Sequence, residues 1–482
     1  MKINFKLIRQ FAFFSSADIL GLITGLISAP ISTRLLTIEQ YGAIPTLQAI
    51  WAAFVTFQFG GMDWAYPFFA SNRKYDIRSV QATSFYVASF SSILVWFIYT
   101  GWLFLSNFGY KNAGMNFIEL TFFVSSILPR SLIDWYLYSL RFQLKEKHYA
   151  KISVFLRVLS LIPLPILILF EQEDRLAIYI ALTSILTWIC FFWSFISLRD
   201  SNYEINFRFF SFKILKDMLG YSLLLTLGGA IYSLFVVADR FLISVFHGSK
   251  EMAIFNLAAN IGGLVLLAKA LFGRIFEPYL VQWIANESPK IYLPKLQKTL
   301  DLLALFMSFY FLIFLLWSKH IVGLIFPRDY IGSAYIIPLI ALSGAISSLS
   351  LVLVASTLIA KKKQFHMVVY SIGLIINSAL GIVLIPKIGA SGAVWGTILG
   401  EFAILISWLV IDRKFLRVLN LKMNFVVFVS LITIFFSFFW IFLIDGYLII
   451  KLRFFPEFMY SLILSIILLI IWGVVFRWRI KA

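Results

Sequence analysis

Runs of about 20 apolar residues, each closed by a short polar or charged stretch, follow one another along nearly the whole chain. A bilayer core about 30 Å thick takes roughly 20 helical residues to cross. The pattern therefore predicts fourteen membrane-spanning helices. Twelve are at 11–33, 43–69, 80–105, 117–140, 152–170, 177–198, 218–245, 252–276, 300–317, 332–360, 366–386 and 390–411. Two more follow at 424–444 and 458–476. The pair 152–170 and 177–198 is the narrowest division, parted only by the acidic turn from Glu171 to Leu176. Links between runs are short, the longest cytoplasmic ones being 199–217 and 277–299, so no soluble domain is expected on either side.

Composition agrees. Hydrophobic residues are 61% of the 482 and charged residues only 13%, with a mean hydropathy of +0.91. That is too little charge to cover a soluble surface, so lipid must be the solvent for most of the chain. The apolar run after Lys2, Lys6 and Arg9 is too long for the core of a typical signal peptide and reads as the first span. The fold class is thus an all-α integral membrane protein.

The net charge of +18 would point to nucleic acid in a soluble protein. Here the basic residues cluster between spans on alternate sides. With the N-terminus inside, 27 of the 41 Lys and Arg fall on cytoplasmic segments, 9 on external ones and the rest within spans. Positive charge concentrates on the cytoplasmic side of membrane proteins. Both termini are therefore expected in the cytoplasm, and nucleic acid is not an expected partner. The lone cysteine, Cys190, makes no internal disulfide, and the four histidines His148, His247, His320 and His366 lie far apart with no metal-ligand spacing. No metal or other cofactor is expected.

The link 199–217 divides the chain into six spans before and eight after. A six-plus-six core with two appended spans follows: an N-terminal lobe at 1–205, a C-terminal lobe at 206–412 and two further helices in 413–482. A faint internal repeat supports it. Arg34-Leu35-Leu36 and Arg240-Phe241-Leu242 each precede a small turn and an apolar helix, the helices carrying Leu47-Gln48-Ala49-Ile50 and Leu257-Ala258-Ala259-Asn260.

Three segments carry a resemblance. They are Ser28-Ala29-Pro30-Ile31-Ser32-Thr33-Arg34-Leu35-Leu36 with Glu39-Gln40-Tyr41-Gly42, Ala238-Asp239-Arg240-Phe241-Leu242 with Ala253-Ile254-Phe255-Asn256-Leu257-Ala258, and Gly389-Ala390-Ser391-Gly392-Ala393-Val394-Trp395-Gly396-Thr397 with Glu401. In this order they resemble the bacterial polysaccharide transporters, which include the O-antigen flippases; Phe255 stands where that family typically has tyrosine. The resemblance covers about the first 410 residues. It implies two six-helix lobes around a central cavity. It also implies movement of undecaprenyl-diphosphate-linked oligosaccharide, an O-antigen or other surface-polysaccharide unit, from the inner to the outer leaflet of the bacterial inner membrane. Lipopolysaccharide biosynthesis would be one such setting. Polysaccharide polymerase and chain-length machinery would be partners. Cation-coupled multidrug exporters share the architecture, usually with twelve spans, so a small-molecule exporter is the alternative.

Such a cargo needs cations for its diphosphate, polar and aromatic groups for sugar, and a lipid-facing path for its tail. A charge inside a span costs about 2.5–3.5 kcal/mol on insertion scales, so it faces a cavity or a partner. The charges in or at the edges of spans are Asp18, Asp63, Arg130, Asp134, Arg157, Asp239, Arg240, Lys269, Arg274, Glu277 and Glu401. Lys269, Arg130, Arg240, Arg34 and Arg274 are the candidate cavity cations for the diphosphate. Asp18, Asp63, Asp134, Asp239 and Glu401 are candidates for coupling H+ or Na+, or for acting as counter-ions. Lys269 leads, because nothing acidic stands three or four residues away. Arg130 and Asp134 share a helix face and read equally as a self-neutralised pair or as a cavity arginine with its counter-ion. Pro129 beside them could open the backbone. Asp239 and Arg240 are adjacent and so diverge by about 100°. Trp51, Trp64 and Tyr66 are candidate cavity aromatics, whereas Trp317, Trp478 and Tyr460 read as interfacial belt residues. A polymerase or ligase would be expected to carry a large outer loop with catalytic Arg or His, and the outer loops 106–116, 318–331 and 445–457 are short. A transporter rather than an enzyme is expected, with no catalytic residue.

Overall fold

The computed structural model describes residues 20–416 except 22, 72–74, 144, 200–205, scattered positions between 267 and 286, 361 and 363; beyond these it describes 419, 425 and six positions from 461 to 473. All regular structure among the described residues is helical. The chain packs as two compact units, Met1–Ala253 and Ile254–Ala482. That division follows packing and falls inside one long helix, whereas the six-plus-six lobes expected from sequence divide at 205.

The first unit holds α1 (20–35), α2 (Ile38–Val55), α3 (Met62–Ser71), α4 (Ile77–Leu105), α5 (Phe108–Lys111), α6 (Phe117–Phe142), α7 (Glu146–Leu159), α8 (Pro163–Ile166) and α9 (Arg175–Arg199). It also takes the greater part of α10 (Phe212–Gly262). The second unit continues with α11 (Pro289–Ile325), α12 (Ser333–Leu353), α13 (Ala355–Ala360) and α14 (Phe365–Ile411).

Among the described residues seven helices are long and apolar enough to cross a membrane, and two of them, Phe212–Leu266 and Phe365–Phe415, run to 55 and 51 residues. At 1.5 Å per residue each reaches about 80 Å, far beyond one bilayer. Both are broken where the sequence predicts an external turn. α10 breaks at Gly248 (φ 73°, ψ −164°) and α14 at Ile388 and Gly389 (φ 58°, ψ −138° at the glycine), so a left-handed glycine interrupts each helix. The two arms of α14 fold back on each other: a Cβ on Gly392 would meet the Leu384 backbone, one on Gly396 the Asn377 carbonyl, and one on Gly373 the Ile404 side chain.

Other spans differ in detail from expectation. The run 43–69 is two helices, α2 and α3, separated by 56–61, where Gly60 (φ 57°) and Gly61 (φ 78°) leave the helical region. The run 300–317 is the core of a 37-residue helix, α11. The helix α6 runs unbroken through Pro129. The span at 424–444 and Tyr460 and Trp478 lie outside the described residues; within 458–476 only isolated helical positions are described. Asp18, Arg274 and Glu277 also lie outside them.

Faces are arranged for lipid. On α4, Phe90 (68% exposed), Leu94, Phe97 (61%) and Ile98 recur at helical spacing on one side. On α9 the same stripe is Ile185, Ile189, Phe192 and Ile196. The interior carries small and hydroxyl side chains instead, which allow close helix approach and share hydrogen bonds. Ser125 and Ser184 join α6 to α9, and Thr56 and Ser233 join the 56–61 break to α10. In the second unit α12 is buried along most of its length, including Ser343, Gly344, Ala345, Ser347 and Ser348.

Candidate functional sites within each unit

Local sequence rules place the first site. Asn116 and Glu119 form a capping box that starts α6, which then carries Arg130 at mid-helix and Arg141 about 16 Å further along the axis. The helix α7 begins at Glu146 and brings Arg157 beside α6. Between the two helices lies a cavity of about 220 Å3 lined by Arg130, Asp134, Tyr138, Arg141, Tyr149, Ser153 and Arg157, with Leu137 and Leu156 as its apolar wall. Three arginines thus face one carboxylate across a small polar space.

The expected pairing of Arg130 and Asp134 is present, one turn apart. The arginine Nε donates to both carboxylate oxygens, at 3.1 and 3.2 Å. This uses the inner nitrogen only. No described residue hydrogen-bonds the two terminal nitrogens of Arg130, which are the fork that grips phosphate or carboxylate. Both side chains remain partly accessible, at 44% and 38%. The Arg157 guanidinium lies against Gly21 of α1, within 2.9 Å of where a Cβ would stand, so a glycine there makes room for the arginine. Arg141 and Arg157 were not among the diphosphate candidates. In sequence Arg141 is a charge of a cytoplasmic link and Arg157 a span charge without an assigned role; only the pairing of α6 with α7 joins them to Arg130.

The second site lies in the second unit. Lys269 follows a helix break at Gly263 and is only partly buried. Its Nζ donates to Ser347 Oγ at 2.5 Å. The Ser347 hydroxyl also lies in hydrogen-bonding reach of the Glu401 carboxylate, which interacts electrostatically with Lys269. Three separate segments therefore supply a cation, a bridge and an anion. Nothing acidic stands near Lys269 in sequence because its counter-ion comes from α14. Tyr370, on the other arm of α14, faces Glu401 as well. His366 bonds Thr357 at 2.8 Å and its ring abuts Trp408. Ser347 was invisible in sequence among so many serines.

The remaining candidates fall elsewhere. Asp239 is buried and accepts the Arg240 backbone N–H at 2.9 Å. Arg34 is exposed at the end of α1. There the structure uses another residue: Arg175, counted only as an external charge, donates to the carbonyls of Leu35 (2.9 Å) and Phe170 (3.1 Å) and so satisfies a helix end. Asp63 opens α3 just after the glycine break. Of the aromatics, Tyr66 is fully buried and bonded by Gln143, Trp51 packs edge-on against Tyr99, and Trp64 is largely exposed. Trp317 is no simple belt residue, because its indole donates to Ser465 at 2.8 Å. No grouping of His, Cys, Asp and Glu fit for a metal occurs among the described residues.

Comparisons with known proteins follow the same lines. The family model described as "Polysaccharide biosynthesis protein" matches residues 7–282, more than half of the chain. The structure is similar to that of the lipid II flippase MurJ in its inward closed conformation, with a TM-score of 0.72 and 15% identity over 97% of this chain and 99% of the other. It is also similar to a multidrug resistance MATE family transporter of the MOP superfamily. The inward-facing form gives a TM-score of 0.65 at 13% identity, covering 83% of this chain and 95% of that one. The outward-facing form gives 0.58 at 13% identity, covering 86% and 96%. At such identities these likenesses establish the fold. No curated protein sequence matches.

Proposed function

Because the chain belongs to the polysaccharide biosynthesis protein family, we propose that it is a flippase. It carries undecaprenyl-diphosphate-linked oligosaccharide, an O-antigen or related repeat unit, from the inner to the outer leaflet of the bacterial inner membrane. The chain is a multi-pass membrane protein with the fold shared by MurJ and MATE transporters. The proposal adds the cargo, an orientation with both ends cytoplasmic, and alternating access as the mechanism.

The observation that carries this reading is the arginine cavity between α6 and α7. Flipping makes and breaks no covalent bond in the cargo, so the protein's task is to lower the cost of taking a diphosphate out of water. Its described lining carries three arginines and one carboxylate, Asp134. The unengaged fork of Arg130 presents two parallel donors of the kind that grip phosphate oxygens. At about 220 Å3 the space suits a headgroup rather than a whole glycan, which would extend beyond it.

The MATE likeness supports the second reading, a cation-coupled exporter of small molecules. A cavity whose described lining includes three arginines suits an anionic headgroup better than a cationic drug, which favours the flippase.

Arg130→Ala, returned to a strain lacking the gene, is expected to cut surface polysaccharide by roughly tenfold or more, and Arg130→Lys to restore little, because lysine lacks the fork. Full polysaccharide in the Ala variant at normal protein levels would overturn the cavity's role. Increased resistance to cationic drugs on overexpression, without any polysaccharide defect on deletion, would favour the exporter.

A further inference from the structure

The intramembrane acids are not equivalent. Asp134 is met by Arg130, and Glu401 by Lys269 through Ser347. Asp239 accepts the N–H of Arg240. Asp63 differs: no described basic side chain pairs with it, and its Oδ1 is buried with no hydrogen-bond partner. Its carboxylate takes only the backbone N–H groups of its own residue and of Trp64, in the first turn of α3.

The surroundings of Asp63 are those of a broken helix. Between α2 and α3 the backbone at Gly60 and Gly61 turns through positive φ, where only glycine is unstrained. Carbonyls released by the break are met by hydroxyls: Ser91 donates to Phe57 at 2.7 Å and Ser92 to Gln58 at 2.8 Å. The Tyr138 hydroxyl donates to the Asp63 carbonyl. From α10, Ser222 Oγ and Thr226 Oγ1 reach the same break, 2.7 and 2.6 Å from where a Cβ on Gly61 would stand. The Thr226 hydroxyl is used on the Ser222 carbonyl. The Ser222 hydroxyl is fully buried and has no hydrogen-bond partner among the described residues. Two buried oxygens without a hydrogen-bond partner among the described residues, one a carboxylate's, thus lie near one glycine break. Buried polar atoms are nearly always satisfied, so such a pair calls for an occupant.

We propose that the α2–α3 break is a binding site for a small monovalent cation, H+ or Na+, held by Asp63 with the hydroxyl of Ser222. A carboxylate without a basic partner is costly in hydrocarbon, and a bound cation removes that cost. A proton on Asp63 turns Oδ1 into a donor for a neighbouring oxygen. A sodium ion takes the carboxylate oxygen and the hydroxyl as hard oxygen ligands, as ions do at other broken membrane helices. The groups at the break are Ser222 and Thr226 from α10, beside Gly61, and Tyr138 from α6, on the Asp63 backbone carbonyl; among charged groups, Arg141 of α6 acts on the same Tyr138. The site rests on reading the chain as a transporter only for its use. Binding is testable with no cargo, so its failure and that of the flippase reading are separate.

The test uses the purified full-length protein. In the sodium arm, unfolding temperature is followed as sodium chloride replaces choline chloride at constant ionic strength, since a ligand of the folded state raises it in a saturable way. In the proton arm, the infrared carbonyl stretch of protonated carboxyl groups is recorded against pH in sodium-free buffer. Whichever arm responds names the cation, and Asp63→Asn is expected to abolish that response. Ser222→Ala, a small change inside a continuous helix, is expected to weaken sodium affinity by roughly tenfold or more, or to shift the carboxyl band. The site is overturned if the wild type responds in neither arm, or if Asp63→Asn keeps the wild-type response. Should Asp63→Asn not fold, an unchanged response in Ser222→Ala overturns it equally.

Discussion

Lys269 and Arg130 show how differently two membrane cations can be handled. Arg130 has its counter-ion one turn away on its own helix, a pairing that spacing alone announces. Lys269 has its counter-ion on another element, and the two meet across Ser347. Removing one charge of such a pair strands the other, so single and double changes separate sharply. Glu401→Gln is expected to destabilise the fold by about 1–3 kcal/mol, and Lys269→Gln on top of it to recover part of the loss. Thermal unfolding in detergent measures both; strictly additive losses would show that the pair does not interact. Candidate residues were visible in sequence because any charge in an apolar run is an exception. Their partners were not, because partners are set by which helices touch. Arg141, Arg157 and Ser347 entered the sites for that reason, and Asp63 stands apart only because Asp134, Asp239 and Glu401 are engaged.

At the scale of the element, close approach governs where glycine is required. A Cβ on Gly42 of α2 would stand 1.7 Å from the carbonyl oxygen of Ser249 on α10, an atom that cannot yield without moving backbone. Gly101 of α4 has nothing within 4 Å of the same position. Gly42→Ala is therefore expected to cost about 1–3 kcal/mol. Gly101→Ala, mid-helix and unobstructed, is expected to be neutral or to stabilise by up to about 1 kcal/mol. Unfolding temperatures of the two variants check the contrast. Both residues are glycines in apolar runs, and sequence alone does not distinguish them. Helix starts were more legible: Thr37 with Gln40 and Asn116 with Glu119 each form a capping box, a purely local device. The α2–α3 break was half-legible. Gly60-Gly61 stands out inside a span, but hydropathy runs on across it and merges the two helices into one.

For the whole molecule the positive-inside count makes a prediction of its own. With both ends in the cytoplasm, the link at Lys250 is external and the one at Lys362 internal. The single native cysteine, Cys190, is buried and leaves a quiet background. In intact spheroplasts, a membrane-impermeant maleimide is expected to label Lys250→Cys and not Lys362→Cys until the membrane is opened. The reverse pattern would invert the topology.

The sequence by itself determined the class of the molecule: helical, many times membrane-crossing, positive on alternate links, with a handful of costly charges inside. Each of these follows from a sum over neighbouring residues, the free energy of moving a helical segment or a charge into lipid, and needs no knowledge of which helix lies beside which. The tertiary structure decided what those charges do. Hydrocarbon gives no force that matches one apolar helix to another, so helix pairing rests on small residues and hydroxyls scattered without a readable period. That pairing gathers three arginines around one cavity, neutralises Lys269 from α14, and leaves Asp63 without a basic partner among the described residues, one oxygen unmet, at a glycine break.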